Sequence, residues 1–219
     1  MLNRELIQRV QSLYSKGVES DDSRLSNRLI YNKLITVRSR LIRQRLDKKK
    51  RLSDWSYQTI SCVEIKSVPV TECVVTGCKV YRTVEKIPKF ISTSFGDGIR
   101  SVTSLDGSTI FSGTSWDKLK YDSYSKYSKN SNKYWIKNGY MYFTFNQDLL
   151  YVTIEAILED IVDILSLDSC AEKCITNLDI DFPIDSDMIE VLIGETVKEL
   201  VILFSQVKED KVNDTNEEV

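Results

Sequence analysis

The sequence predicts an α+β fold in which helices from both ends of the chain form a helical bundle that carries a β-rich insertion. Two observations favour this class. Apolar residues recur at helical spacing near both ends, whereas residues 53–148 are rich in β-branched and aromatic side chains separated by turn signals. We therefore assign residues 1–52 and 149–208 to a helical core, residues 53–148 to the insertion and residues 209–219 to a disordered acidic tail.

Two helices are predicted in the N-terminal part. The first covers residues 3–15 and ends before Gly17. The second covers residues 22–51, because Asp21 and Asp22 supply capping oxygens and the rest of the segment contains neither Gly nor Pro. Such a helix would be about 40 Å long at the usual rise. Its apolar stripe follows a spacing of four, three and four residues through Ile30, Leu34, Val37 and Leu41.

The insertion is predicted to contain strands at residues 57–65 and 73–84, where β-branched and aromatic residues dominate. Two hairpins should follow. Residues 102–111 would turn at an Asp-Gly pair, and residues 134–145 at an Asn-Gly pair, which suits the two positive φ angles of a type I′ turn. Between the hairpins, residues 116–133 are rich in Ser, Lys and Tyr and are predicted to form an exposed loop.

The C-terminal part contains one ambiguous segment and one clear helix. Residues 149–158 are mostly apolar, and periodicity alone does not separate a strand from the start of a helix that would continue to residue 165. The last helix should begin near Asp187, with Glu190 three residues later in a capping pattern, and should continue to about residue 208.

Charge is strongly segregated along the chain. Residues 24–51 carry eleven Lys or Arg against one Asp, whereas residues 148–219 carry nineteen Asp or Glu against four Lys. Helix electrostatics explains the acids before the long helix and some cations at its end. Three interpretations of the rest stay open: contact with a protein, proximity to DNA without sequence readout, or a solvated face. The candidate residues are Arg28, Arg38, Arg40, Arg43, Arg45, Lys48, Lys49, Lys50 and Arg51.

A second candidate lies in the predicted loop. Tyr121, Tyr124 and Tyr127 alternate with lysines, an arrangement that can stack single-stranded bases. The same composition suits a loop that contacts another protein, since Tyr offers a large area at low entropic cost. We favour the protein contact.

Several classes of activity lack their usual residues. The chain has no histidine, which removes the commonest general base and zinc ligand, and Gly96-Asp97-Gly98 lacks the pattern of a phosphate-binding loop. Five cysteines are an odd number in a chain of this size, which favours reduced thiols, and their spacing lacks a zinc knuckle. We predict a soluble, intracellular, non-enzymatic protein with no metal or cofactor, no signal peptide and no membrane-spanning segment.

The order of elements resembles a known family. The carriers of the resemblance are the short helix, the long basic helix ending near Trp55, the strand at residues 62–65, and three segments: YRTVEKIP at 81–88, IRSVTSLDG at 99–107 and FPIDSDMI at 182–189. Over roughly residues 3–207 this layout resembles virion structural proteins of tailed phages, most closely the neck or ring proteins of crAss-like phages.

The resemblance implies a late virion protein, made in the host cytoplasm, that acts as a head–tail connector or portal adaptor. It would form a homo-oligomeric ring, typically twelve-fold, in the phage neck. Its partners would be further copies, the portal protein, other neck and tail proteins, and the genomic double-stranded DNA passing through the lumen. In that setting the acidic C-terminal third of a neighbouring copy, or the portal, would face the basic helix. The alternative function is non-sequence-specific nucleic-acid binding by the helix at residues 22–51.

Overall fold

The computed structural model describes residues 1–17, 25–68, 80–94, 96–122, 126, 131–145, 149–162 and 178–205. It confirms a mixed α+β fold. The chain divides into two compact units, one of Met1–Arg45 with Thr176–Val219 and one of Leu46–Ile175. These boundaries differ from the 52/53 and 148/149 boundaries predicted above.

Three helices lie in the described part of the first unit. They are α1 (Asn3–Tyr14), most of α2 (Asn27–Asp47) and α4 (Ile189–Ser205), the last preceded by a short 3-10 turn at Ser186–Met188. Leu6, Ile30, Leu34 and Leu200 are fully buried, so the apolar stripes of all three helices supply the core of the unit. Their arrangement as a bundle stays a prediction.

The long helix is shorter than the sequence indicated. It begins after Ser26, whose hydroxyl accepts a hydrogen bond from the Leu29 N–H at 3.2 Å. Asp21 and Asp22, the caps predicted from sequence, lie outside the described residues. The helix ends at Asp47 because Lys49 adopts a positive φ of 55°.

The described residues of the second unit include a seven-stranded, nearly closed sheet. Its strands are β1 (Gln58–Ser67), β2 (Val80–Thr83), β5 (Ile99–Ser104), β6 (Ser112–Gly113), β7 (Lys133–Lys137), β8 (Tyr140–Thr144) and β9 (Tyr151–Ala156). They lie in the order β5-β9-β1-β2-β8-β7-β6, and β3 (Ser92–Thr93) and β4 (Gly96–Asp97) form a separate small hairpin. Neighbouring strands are antiparallel except β6 and β7.

One short segment nearly closes the sheet. The Phe111 N–H donates to the Val102 carbonyl at 2.9 Å, so residues 109–111 pair with β5, and the same segment then runs into β6 beside β7. The interior holds an apolar cluster, to which β1, β5, β8 and β9 contribute buried side chains. Its members include Ile60, Val63, Ile65, Val102, Met141, Phe143, Val152, Ile154 and Ala156.

Both predicted hairpins are confirmed. Asn138 and Gly139 have φ angles of 54° and 78°, the left-handed values that a type I′ turn requires, and Lys137 pairs with Tyr140 across it. The other hairpin turns at residues 105–108, where Gly107 has a φ of 72°. The ambiguous segment at 149–158 is a strand, β9, which pairs with both β1 and β5.

Two expectations for the insertion need correction. Residues 116–133 are not wholly a loop, since α3 (Trp116–Asp122) lies there. The Trp116 ring packs on the Trp135 ring, with the two ring centroids 5.8 Å apart. This tertiary contact stabilises a helix that is too short to persist alone.

Cys62 is disulfide-bonded, contrary to the expectation of reduced thiols. Spacing in the sequence does not show which sulfurs a fold brings together. The other four cysteines lie outside the described residues.

Candidate interaction site

The basic face of α2 meets acids of the same chain. Glu199 on α4 accepts a hydrogen bond from Arg40 at 2.8 Å and one from Lys33 at 3.4 Å. Arg40 also lies 3.5 Å from Glu195. Lys198 lowers the pKa of the Glu195 carboxyl by donating a hydrogen bond to it, and Arg40 adds to this shift. A small charge network therefore joins α2 to α4 within one molecule.

The C-terminal end of α2 is held in the same way. The Arg45 guanidinium lies 2.7 Å from Asp187 and 3.6 Å from the buried carboxylate of Asp185. Both acids come from the turn that precedes α4, the segment in which the sequence indicated helix capping. Arg45 therefore connects the end of one helix to the start of the other.

Arg38, predicted as an interface residue, is fully buried inside the first unit. Its Nε donates to the Pro183 carbonyl at 2.8 Å, and its guanidinium lies 5.9 Å from the centroid of the Phe182 ring. A side chain enclosed in this way has no surface to offer to a partner. The sequence contained a signal for this burial, because helical spacing places Arg38 on the apolar face of α2 beside Val37 and Ile42.

The N-terminus continues the same pattern. Arg4 lies 2.8 Å from Asp179, the terminal ammonium lies 3.3 Å from Asp181, and Arg9 on α1 lies 3.9 Å from Glu190. The seven acids between residues 179 and 199 thus face cations of their own chain. That a neighbouring copy or the portal supplies a further complement stays a prediction.

The remaining cationic candidates are exposed. Arg28, Lys48 and Lys50 form no ion pair within the part of the chain that the structure describes. Arg43, Lys49 and Arg51 are also exposed, and each makes a further interaction. Tyr121 is exposed on α3, whereas Tyr124 and Tyr127 lie outside the described residues.

A second surface was not predicted from the sequence. It is a cavity of about 550 Å³ beside β7, which we call the aromatic cavity, and its lining includes Gly96, Ile99, Trp116, Lys118, Trp135 and Ile136. Trp135 is 2% exposed, and its indole N–H has no hydrogen-bond partner among the described residues. A buried donor without an acceptor is uncommon in folded proteins.

Aromatic and cationic groups surround this cavity. The Trp135 ring stacks on the Tyr142 ring, with the two ring centroids 5.7 Å apart. The Lys137 ammonium lies 4.3 Å from the centroid of the Trp116 ring. Burial raises the pKa of Tyr134, and the nearby charge of Asp97 raises it further. The signal that could have found the site is the pair of tryptophans, one of which lies in the segment predicted to be a loop.

The turn at residues 105–108, which we call the β5 turn, carries exposed apolar groups and one fixed charge. Leu105 is 58% exposed, and Ile110 beyond the turn is also exposed. The Ser104 hydroxyl donates to the Asp106 carboxylate, and this bond with those from Ser108 lowers the pKa of Asp106 to about 2. Asp106 is therefore ionised throughout the physiological range.

No group of three or more metal-ligating side chains occurs within the described ranges. Among the same residues, no helix is long and apolar enough to cross a bilayer.

Comparison with protein families identifies the chain. The family model for phage tail ring protein 2 of crAss-like phages matches residues 5–219. The chain belongs to this family. No curated protein matches it.

Membership in the tail ring protein family confirms the coarser part of the resemblance. A virion component of the phage tail or neck that associates into a ring is what the family description supports. A structural family of this kind favours a non-enzymatic role. For a tail ring protein, surfaces that join copies and neighbouring tail proteins are the functional sites, so the exposed candidates described above are the relevant ones.

Proposed function

We propose that this tail ring protein is a structural head–tail connector of the phage neck, which links the portal to the tail and lets the genome pass through its lumen. The observation that carries the proposal is the family match over residues 5–219, almost the whole chain. Twelve-fold symmetry, contact with the portal and passage of DNA are parts of this proposal.

The charge pattern supports a revised role for the helical unit in this connector. Lys33, Arg40 and Arg45 are neutralised by acids of the same chain, so they stabilise the protomer rather than select a partner. We assign contact with the portal to the exposed part of this unit, together with residues 209–219, which lie outside the described residues. Exposed residues of the sheet unit, including Tyr121, would contact other tail proteins.

The full-length chain can be tested directly. Native mass spectrometry should give one dominant closed oligomer, and twelve subunits would agree with the proposed symmetry. Mixing with the portal protein of the same phage should give a complex of defined stoichiometry. A chain that stays monomeric both alone and with portal would contradict the connector function, and a ring that ignores portal would move it further down the tail.

Contact with DNA in the lumen is supported by the exposed cations beyond the helix network. Lys48 and Lys50 lie in a run of four cations at the end of α2, and neither forms an ion pair among the described residues. Each phosphate contact lowers the slope of log affinity against log salt by about 0.9. Replacing both lysines by Ala should therefore flatten the slope by up to about 2.

The control for the DNA experiment is Lys33→Ala, which removes a cation already paired with Glu199 at 3.4 Å. This variant should leave the slope unchanged. If fluorescence anisotropy with duplex DNA at low salt shows no binding by the wild-type ring, contact of these lysines with DNA is ruled out while the ring itself stands.

A further inference from the structure

The outer face of the sheet carries a row of aromatic and basic side chains across four adjacent strands. The row, which we call the outer row, consists of Trp135 on β7, Tyr142 on β8, Arg82 on β2 and Lys66 on β1, each directly opposite the next in the strand pairing. Met141 and Phe143, on either side of Tyr142, are buried in the apolar cluster. Because side chains alternate along a strand, the outer row points away from the interior.

Cations on this face stand over aromatic rings. The Arg82 guanidinium lies 4.8 Å from the centroid of the Tyr140 ring, and the Lys137 ammonium lies 4.3 Å from the centroid of the Trp116 ring. Tyr140 and Lys137 pair across their hairpin, and each is two residues from a member of the outer row, so both lie on the same face. Trp116 covers the β7 end of the row and is still 55% exposed. We call the outer row together with Tyr140, Lys137 and Trp116 the basic aromatic face.

Positive charge predominates on this face. The described strand residues that point outward here include the cations Lys66, Arg82 and Lys137 and one acid, Glu64. Glu64 lies 3.1 Å from Lys66 and is matched by it. Lys137 forms no ion pair within the described ranges. The face therefore offers aromatic rings and an excess of positive charge together.

A similar pair in the other half of the outer face provides an internal comparison. The Arg100 guanidinium lies 5.0 Å from the centroid of the Tyr57 ring, but it also lies 2.6 Å from Asp54 and 3.0 Å from Glu155. Glu155 alternates with buried residues of β9, which places this cluster on the outer face as well. Two carboxylates thus neutralise the cation that stands over Tyr57.

The composition of the basic aromatic face selects between classes of partner. Protein interfaces are depleted in Lys, whereas aromatic rings interleaved with cations are the surface to which single-stranded nucleic acids bind. Duplex DNA offers phosphates to the cations but keeps its base faces stacked inside the helix. An unpaired strand offers phosphates and free base faces at once. Four strands span about 14 Å, a width on which comparable sheets hold about two or three bases.

We infer that the basic aromatic face binds single-stranded nucleic acid. Bases stack on Tyr140, Tyr142 and Trp116, of which the two tyrosines are partly exposed, and phosphates lie beside the cations. This inference goes beyond the connector function. It uses neither Lys48 nor Lys50, so it is separate from the proposed contact with duplex DNA in the lumen.

Binding of a labelled oligothymidylate of about 20 nucleotides to the full-length chain, measured by fluorescence anisotropy at low salt, tests the inference. Tyr140→Leu keeps an apolar side chain on β8 but removes the stacking surface, and it should weaken binding about 5- to 100-fold. Lys137→Ala should weaken binding and flatten the slope of log affinity against log salt by about 0.7.

Two controls isolate the face. Tyr57→Leu makes the same substitution beneath Arg100 and should leave the affinity for oligothymidylate unchanged. In a background that carries Lys48→Ala and Lys50→Ala, the loss caused by Tyr140→Leu should persist, which separates the two nucleic-acid contacts. Far-UV circular dichroism with thermal melting checks that every variant folds, and Lys137→Ala keeps the test valid if Tyr140→Leu does not fold.

Four results would overturn the inference. They are no binding of oligothymidylate by the wild-type chain, folded Tyr140→Leu or Lys137→Ala that binds as tightly as wild type, an equal loss in Tyr57→Leu, or complete displacement of the oligonucleotide by poly-glutamate at the same concentration of charge. The last result would assign the face to an acidic protein. None of these results bears on ring formation, which a monomeric wild-type chain would contradict by itself.

Discussion

Glu199 offers the sharpest test of the charge network between α2 and α4. Replacing it by Gln keeps its size but removes the charge that accepts from Arg40 at 2.8 Å and from Lys33 at 3.4 Å. The Glu199 side chain is 23% exposed, so solvent screens it less than a surface acid. Each pair of this kind is worth about 0.5–1 kcal/mol, and we expect Glu199→Gln to lower the free energy of unfolding by about 1–2 kcal/mol.

The matched control lies on the same helix. Glu190 is 84% exposed and approaches Arg9 only at 3.9 Å, so Glu190→Gln should change the free energy of unfolding by less than about 0.5 kcal/mol. A double-mutant cycle with Arg40→Gln should recover a coupling of about 0.5–1 kcal/mol between Arg40 and Glu199.

The assay must report on the helical unit. All three tryptophans, Trp55, Trp116 and Trp135, lie in the sheet unit, so their fluorescence follows that unit alone. Urea unfolding of monomeric protein followed by far-UV circular dichroism reports mainly on the helices. If Glu199→Gln costs no more than Glu190→Gln, the network contributes nothing to the protomer. If Glu199→Gln instead weakens ring formation, the acids serve an interface and the intramolecular assignment is refuted.

Two further predictions follow from buried and charged groups. Arg38→Ala should lower the free energy of unfolding by about 2–4 kcal/mol, because it leaves the Pro183 carbonyl without its donor and opens a cavity, whereas exposed Arg28→Ala should stay within about 0.5 kcal/mol. Asp106 should titrate at about 2 by NMR rather than at its ordinary 3.8, so its stabilising contribution is present above pH 3.8 and is lost as the pH falls toward 2. Ser104→Ala should move that pKa back toward 3.8, and an unchanged value would show that the hydroxyl is not its cause.

Local features of the sequence predicted local structure well. The Asn-Gly pair at residues 138–139 specified its hairpin because few other residues accept two successive positive φ angles. Leu6, Ile30 and Leu200 lie buried, as the helical stripes required. The turn and the helical stripes each depend only on residues that are close together in the sequence, so the sequence alone is enough to predict them.

Features that depend on distant partners were not predictable in the same way. α3 forms where a loop was expected because its Trp116 packs against Trp135 on β7. The seven residues of α3 are too few to show a helical periodicity that would predict this contact. Strand β9 buries alternate residues, Val152, Ile154 and Ala156, and this alternation with Thr153 and Glu155 was a strand signal that the apolar residues on either side of the strand obscured. Arg40 and Glu199 are 159 positions apart in the sequence, which likewise gives no sign of the hydrogen bond between them.

The segregation of charge along the chain therefore has a different meaning from the one that counting suggests. Opposite charges that lie far apart in sequence can neutralise each other once the second and last helices enter one unit, as they do here through Lys33, Arg40 and Arg45. Charge used in this way is not available to distinguish partners. Lys48 and Lys50 have no such pair among the described residues, so the proposed contact with DNA rests on these two lysines rather than on the paired residues of α2.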